Sequence, residues 1–369
     1  MANEDKSTRY HRLRRRTSSL DTTAQAILLL ALVLSGASSA IRSSIASSVG
    51  TGLVSLVVMY VVVIAALTEL VHLPFAFYYG VVLERRYGLS TETPGRWLKD
   101  HFKAAVIALI VLVVAGVLVA WLLRTAPELW WLLSSIVFVT GLIVLARLAP
   151  VFLLPLFYDI RPLARETLRE RLLALAEKSG TPVLGAYEWR VGDRTTRANA
   201  VLVGIGRTRR ILVSDTLLAV HSDDEIETVF AHELAHHVYG DIWSALAFEA
   251  ALLTLGCYAA DYVLSSFAFT IGLDGKADVA GLPLVALTGG LVSLLFAPVA
   301  NALSRAHERR ADRYALDTTR NSTAFISAMK RLAATNLAED RPSRLVELLF
   351  HTHPSTAARI EAAKAWSPD

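Results

Sequence analysis

Two histidines four residues apart, with a glutamate directly after the first, stand at His232-Glu233-Leu234-Ala235-His236. Residues four apart on a helix share a face, so both imidazoles can reach one divalent ion. Glu233 can then reach a water held by that ion, take its proton and pass it to a leaving amine. The bland alternative is a solvated helix that happens to be rich in His and Glu. It is the weaker reading, because Ser222-Asp223-Asp224-Glu225 just upstream has the pattern of a capping box, and Ile226, Val229, Phe230 and Leu234 supply a buried stripe. His237 reads as a surface or supporting histidine.

A catalytic ion needs a third protein ligand and one open position. The single cysteine, Cys257, excludes a multi-cysteine site and an intrachain disulfide framework. Downstream, Ser304-Arg305-Ala306-His307-Glu308-Arg309-Arg310-Ala311-Asp312 places two carboxylates four apart on an expected helix. Glu308 is the favoured ligand and His307 its rival. Asp312, one turn further on, can accept a hydrogen bond from a ligand histidine. Two imidazoles, a carboxylate and an open position suit zinc, one ion per chain.

The elements that carry these groups belong to a membrane protein. Apolar residues make up 54% of the 369 and charged residues only 19%, against roughly 25% charged in soluble domains. Six stretches are apolar over the length a span requires: 24–40, 52–73, 104–123, 129–146, 242–264 and 281–303. The first is short, and a secretory signal peptide is its alternative reading. Basic residues cluster before it (Lys6, Arg9, Arg12, Arg14, Arg15, Arg16) and after the second (Arg85, Arg86, Arg96, Lys99, Lys103), whereas the alternate loops carry only Arg42, Arg124 and Lys276. Both termini are therefore expected on the cytoplasmic side. The net charge of +4 is an orientation signal, with no nucleic-acid partner expected.

This gives a basic cytoplasmic tail over 1–23, four spans within 24–157 with a cytoplasmic loop at 80–103, a catalytic part over 158–241, two spans within 242–303, and a C-terminal part, 304–369, that supplies the third ligand. In the catalytic part a helix is expected over 162–178, strands over 183–191, 198–205 and 209–213, and a hairpin turn at 206–208. Glu69, His72 and Arg147 close spans and are expected to snorkel to the interface.

In order along the chain stand Leu73-Pro74-Phe75, Glu84-Arg85-Arg86-Tyr87-Gly88, Pro155-Leu156-Phe157, Arg197-Ala198-Asn199-Ala200, Asp215-Thr216-Leu217-Leu218, the histidine motif, the 304–312 segment and His353-Pro354. With that series, over about four-fifths of its length, the chain resembles the type I CAAX prenyl proteases, integral membrane zinc metalloendopeptidases related to the HtpX-type quality-control proteases. The resemblance implies a mainly α, polytopic helical membrane protein of about six transmembrane helices, with a cytoplasmic zincin-like catalytic domain carrying a small β-sheet. It implies His232, His236 and Glu308 as zinc ligands, choosing Glu308 over His307, with Glu233 as catalytic base and Asp312 as a supporting acid. It further implies that Asn199 and Ala200 lie on the strand that holds the substrate backbone by β-addition, and that His353 donates to the developing oxyanion. For His353 a surface cap is the plainer alternative. Arg359 is expected to pair with a carboxylate near the site, and Glu249 to face a water-filled intramembrane chamber.

Two departures bear on substrate. Eukaryotic relatives typically have seven spans, of which this chain is expected to lack the first, and only 219–224 separates Leu218 from the zinc helix, where those relatives carry a long charged insertion. Such compact spacing looks bacterial, at the inner (cell) membrane, where prenylated substrates are not expected. The expected activity is cleavage of peptides or proteins, membrane-associated or prenylated ones among the candidates, at the bilayer boundary. A broad quality-control protease of membrane proteins is the nearest alternative. A non-enzymatic scaffold or transporter with a structural metal site is a different class, disfavoured because such a site has no use for Glu233.

Overall fold

The computed structural model of the chain describes residues 5–367 apart from 153 and 205. Helix α1 (Lys6–Leu34) starts well ahead of the apolar stretch, with the Asp5 side chain capping the Ser7 N–H. Much of the expected basic tail is therefore helical. Gly36, at φ +75°, breaks the first expected span and starts α2 (Ala37–Val49). Next come α3 (Leu53–Phe77), a π-helical turn over Tyr78–Leu83, α4 (Glu84–Arg86), α5 (Pro94–Thr125), α6 (Trp130–Phe152) and α7 (Leu154–Phe157). Among the described residues six helices are long and apolar enough to cross a membrane, and they contain the six expected stretches in whole or in large part.

Glu69 and His72 do not snorkel alone. His101 Nε2 lies 2.6 Å from Glu69, and His72 Nδ1 lies 2.9 Å from Asp21 of α1, with the two imidazoles stacked at 6.0 Å. Buried ionisable groups seek partners when water is scarce, and neighbouring helices supply them here.

The four-stranded sheet has the order β1-β2-β4-β3. β1 (Asp159–Pro162) pairs antiparallel with β2 (Ala186–Arg190), and α8 (Glu166–Lys178) lies between them in sequence. β1 takes Pro162, where the helix was expected to start, and α8 begins four residues late. β3 (Ala200–Val203) and β4 (Arg210–Ser214) form the expected antiparallel hairpin. The first two expected strands are shorter than expected and the third is shifted by one residue, while Ile205, the end of the second, lies outside the described residues. Gly204 is required in this hairpin: at φ +96°, a Cβ would come within 2.7 Å of the Thr208 carbonyl oxygen. β2 runs parallel to β4.

Seven α-helices follow among the described residues: α9 (Asp215–Val220), α10 (Asp223–Val238), α11 (Asp241–Phe267), α12 (Leu282–Thr319), α13 (Ser322–Asn336), α14 (Arg344–Phe350) and α15 (Thr356–Ala365). The soluble core joins Leu168 and Leu172 of α8, Ile211 of β4, Ile226, Phe230 and Leu234 of α10, and Phe325 of α13, each fully buried. Burying a side chain of this size is worth about 1.5–3 kcal/mol. That stripe fixes the rotation of α10 and so decides which way His232 and His236 face. α12 carries a membrane span at one end and delivers Glu308 and Asp312 at the other.

Candidate metal centre

The capping box forms as its sequence predicts. Ser222 Oγ accepts the Glu225 N–H, and Glu225 Oε2 accepts the Ser222 N–H at 2.9 Å. Two turns later His232 and His236 meet Glu308, which lies on the buried face of α12 with Arg305, Ala311 and Asp312. One donor atom from each of His232, His236 and Glu308 lies within 4.8 Å of the other two. His232 Nε2 is 3.2 Å from Glu308 Oε2, and His236 Nε2 is 3.4 Å from Glu308 Oε1.

Both Nδ1 atoms face the other way and are held by carboxylates. His232 Nδ1 lies 2.9 Å from Asp312 Oδ1, and His236 Nδ1 lies 2.8 Å from Asp241 Oδ2. Each Nδ1–H thus donates to an acid, which leaves each Nε2 lone pair pointing at the common centre. Arg359 forks onto Asp312, from Nε at 2.8 Å and from a terminal nitrogen at 2.5 Å. Asp241 also accepts from Arg310, whose guanidinium lies over the Tyr239 ring.

This donor set fits a divalent cation. Glu308 Oε2 is buried without a hydrogen bond of good geometry. Burial alone would lower the His232 pKa, yet its bonds to Asp312 and Glu308 carry it up to about 9. The surrounding carboxylates thus favour positive charge at this centre. Burial pushes the Glu233 carboxyl above its ordinary value, against the pull of both histidines.

Glu233 lines a cavity of about 610 Å³ together with His232, Glu308, Asn199, His353 and Arg359. His353 Nδ1 comes within 2.7 Å of Glu308 Oε2, while its side chain stays 61% exposed. His307 is not in the cluster: its Nε2 turns to Ser244 Oγ at 3.2 Å. Glu249 is exposed on α11.

The strand that was expected to take substrate sits beside α10 at the edge of the sheet. The Asn199 backbone is turned inward, its N–H donating to Ser214 Oγ and its C=O accepting the Ser214 N–H, both at 2.9 Å. By strand alternation, Ala198, Ala200 and Leu202 direct their amides to the free edge. The Asn336 side-chain amide already pairs with both the N–H and the C=O of Ala198 at 3.0 Å, and His237 Nε2 takes the Leu202 C=O at 2.8 Å. Ala200 itself is fully buried. Sequence reasoning missed Asn336, Asp241 and Arg310. Of these only Asp241 left a signal, as a carboxylate opening the helix directly after the motif and Gly240.

The comparisons with known proteins agree with this geometry. Residues 162–367 match Peptidase family M48, and residues 2–159 match the CAAX prenyl protease N-terminal region, described as five membrane helices. The uncharacterized metalloprotease YhfN of Bacillus subtilis (strain 168) is 30% identical over 341 residues, 91% of this chain and 80% of that protein. CAAX prenyl protease 1 of Saccharomyces cerevisiae is 26% identical over 321 residues, 81% of this chain and 70% of its own. The crystal structure of S. mikatae Ste24p has the same fold, with a TM-score of 0.83 at 23% identity over 97% of this chain and 87% of that one. The chain belongs to peptidase family M48 and is a multi-pass membrane metalloendopeptidase.

Proposed function

We propose that the metal is one zinc ion per chain, ligated by His232, His236 and Glu308, and that Glu233 is the general base. The observation that carries this reading is the convergence of both Nε2 atoms on Glu308 while Asp312 and Asp241 hold both Nδ1 atoms. Zinc supplies a Lewis acid for the attacking water and the scissile carbonyl. Glu233 takes the proton from that water and delivers it to the leaving amine nitrogen, a transfer helped by a carboxyl whose pKa burial has already raised. Arg359 fixes Asp312, and Asp312 fixes the His232 ring. His353, at the cavity wall, donates to the oxyanion as the carbonyl becomes tetrahedral. Ala200, whose amide faces the free edge of β3, aligns the substrate backbone, and Asn199, whose own backbone is held by Ser214, borders the cavity beside it. For that alignment Asn336 must move off Ala198.

The substrate is a peptide or protein segment presented at the membrane surface. The enzyme sits in a bacterial cell membrane with its catalytic part in the cytoplasm; the basic residues of alternate loops and the likeness to a Bacillus metalloprotease support this. Comparing a farnesylated peptide with its unmodified counterpart decides whether a lipid is recognised. The mechanism is tested with Glu233→Gln, which should keep one zinc per chain and lose peptide cleavage by several orders of magnitude. Cleavage that survives in this variant removes Glu233 as the base.

A further inference from the structure

Two turns of α1 border the cavity with a polar stripe: His11, Arg14, Arg15 and Ser18, spaced i, i+3, i+4, i+7. Arg14 and Ser18 are exposed and His11 and Arg15 half-buried, so the stripe borders the open side of the cavity, where a charged group can meet an entering peptide. Three arginines and three glutamates line this cavity, which leaves it net positive once a divalent cation is bound. Two of the arginines are spoken for. Arg15 lies 2.6 Å from Glu339, and Arg359 clamps Asp312. Arg14 differs. Among the described residues it has no carboxylate partner, and its hydrogen bond is a long one, 3.3 Å to the Tyr10 hydroxyl.

Tyr10 makes this cation a positioned one. Its ring is fully buried against Leu83, Tyr87 and Leu89. Its hydroxyl donates to Glu84 and accepts from Arg197 at 2.6 Å. Arg197 immediately precedes Ala198 and Asn199, so one hydroxyl joins Arg14 to the start of the strand that borders the cavity. Arg14 thus borders the substrate side of the site without a carboxylate partner among the described residues.

We infer that Arg14 receives a carboxylate of the substrate and makes the protease prefer peptides that carry one. This rests on the peptidase reading of the site. Two sources offer that chemistry, an Asp or Glu side chain and a free C-terminus. A guanidinium–carboxylate hydrogen bond in a part-enclosed site is worth about tenfold in affinity.

The test uses full-length, zinc-loaded protein in detergent and two pairs of short fluorescent peptides. One pair differs only as Asp against Asn, the other only as a C-terminal carboxylate against its carboxamide. Binding is measured in the Glu233→Gln background and cleavage in the wild type. The acidic member of at least one pair should bind about tenfold more tightly, and the responsive pair identifies the source. Arg14→Gln should bring that ratio to near one, Arg14→Lys should keep most of it, and added salt should shrink it. Absence of any preference, or a preference that survives Arg14→Gln, overturns the inference. An Arg14-dependent binding preference in a protein that cuts neither peptide supports the inference and removes the peptidase reading instead.

Discussion

Asp241 accepts a hydrogen bond from His236 Nδ1 at 2.8 Å although it belongs to the next helix. Gly240 makes this possible. At φ +67° it turns the chain so that only Tyr239 and Gly240 separate α10 from α11, which brings the first carboxylate of α11 beneath the last histidine of the motif. Asp241→Ala should therefore weaken zinc binding about 10- to 100-fold, read by competition with a chromophoric chelator. Unchanged affinity would show that His236 is oriented by packing alone.

Asp312 does for His232 what Asp241 does for His236, and each also holds an arginine, but the Arg359 side chain on Asp312 is only 15% exposed whereas that of Arg310 on Asp241 is 44% exposed. Removing Asp312 leaves that guanidinium without a carboxylate. Asp312→Ala should cost about 3–5 kcal/mol, more than Asp241→Ala, and should lower the melting temperature in detergent accordingly. The double variant Asp312→Ala with Arg359→Met should recover part of the loss. Equal melting temperatures for the two single variants would refute the asymmetry.

His221 sits between α9 and the capping box, 4% exposed, with neither ring nitrogen hydrogen-bonded. Burial pushes its pKa below the ordinary 6.5, Arg331 adds to this, and Glu225 opposes it. The unfolded chain then binds the proton more readily than the folded one, so the contribution to stability is lost as pH falls through about 6.5. His221→Leu should flatten the stability curve between roughly pH 7 and 5. Parallel curves for variant and wild type would exclude His221 as the cause.

Gly116 lets α5 approach α3 closely. A Cβ there would lie 2.8 Å from Val61 Cγ2, and valine has little rotamer freedom with which to yield. Gly116→Leu should destabilise the bundle by about 1–3 kcal/mol, measured by thermal unfolding in detergent, with zinc affinity retained. A fully stable variant would mean that the helices can separate without cost.

The parts of this site that are local in sequence were the legible ones. A four-residue spacing and a capping box declare α10 and its histidines, because helix geometry alone brings those groups together. Glu308 was reachable by chemistry and settled by resemblance. What escaped depended on chain reversals. Asp241 needs the left-handed turn at Gly240, and Asn336 needs α13 to end beside β3, with Leu337 at φ +51° as its cap. β1 has only four residues and no alternating burial, so no periodicity announces it, and its pairing with β2 spans the whole of α8. The early start of α1 escaped because arginines interrupt the apolar pattern. Those same arginines were read as an orientation signal, whereas two of them also line the cavity.

α12 is one unbroken helix of 38 residues. At about 1.5 Å per residue it extends roughly 57 Å, nearly twice the hydrocarbon thickness. Glu308 lies five residues beyond Leu303, where the apolar stretch ends, or about 8 Å along the rod. With Glu308 as the proposed ligand, the helix would work as a depth gauge: it would hold the scissile bond one short step outside the acyl chains, and a protein whose vulnerable segment cannot be drawn down to the headgroup layer would be out of reach however well its sequence suits.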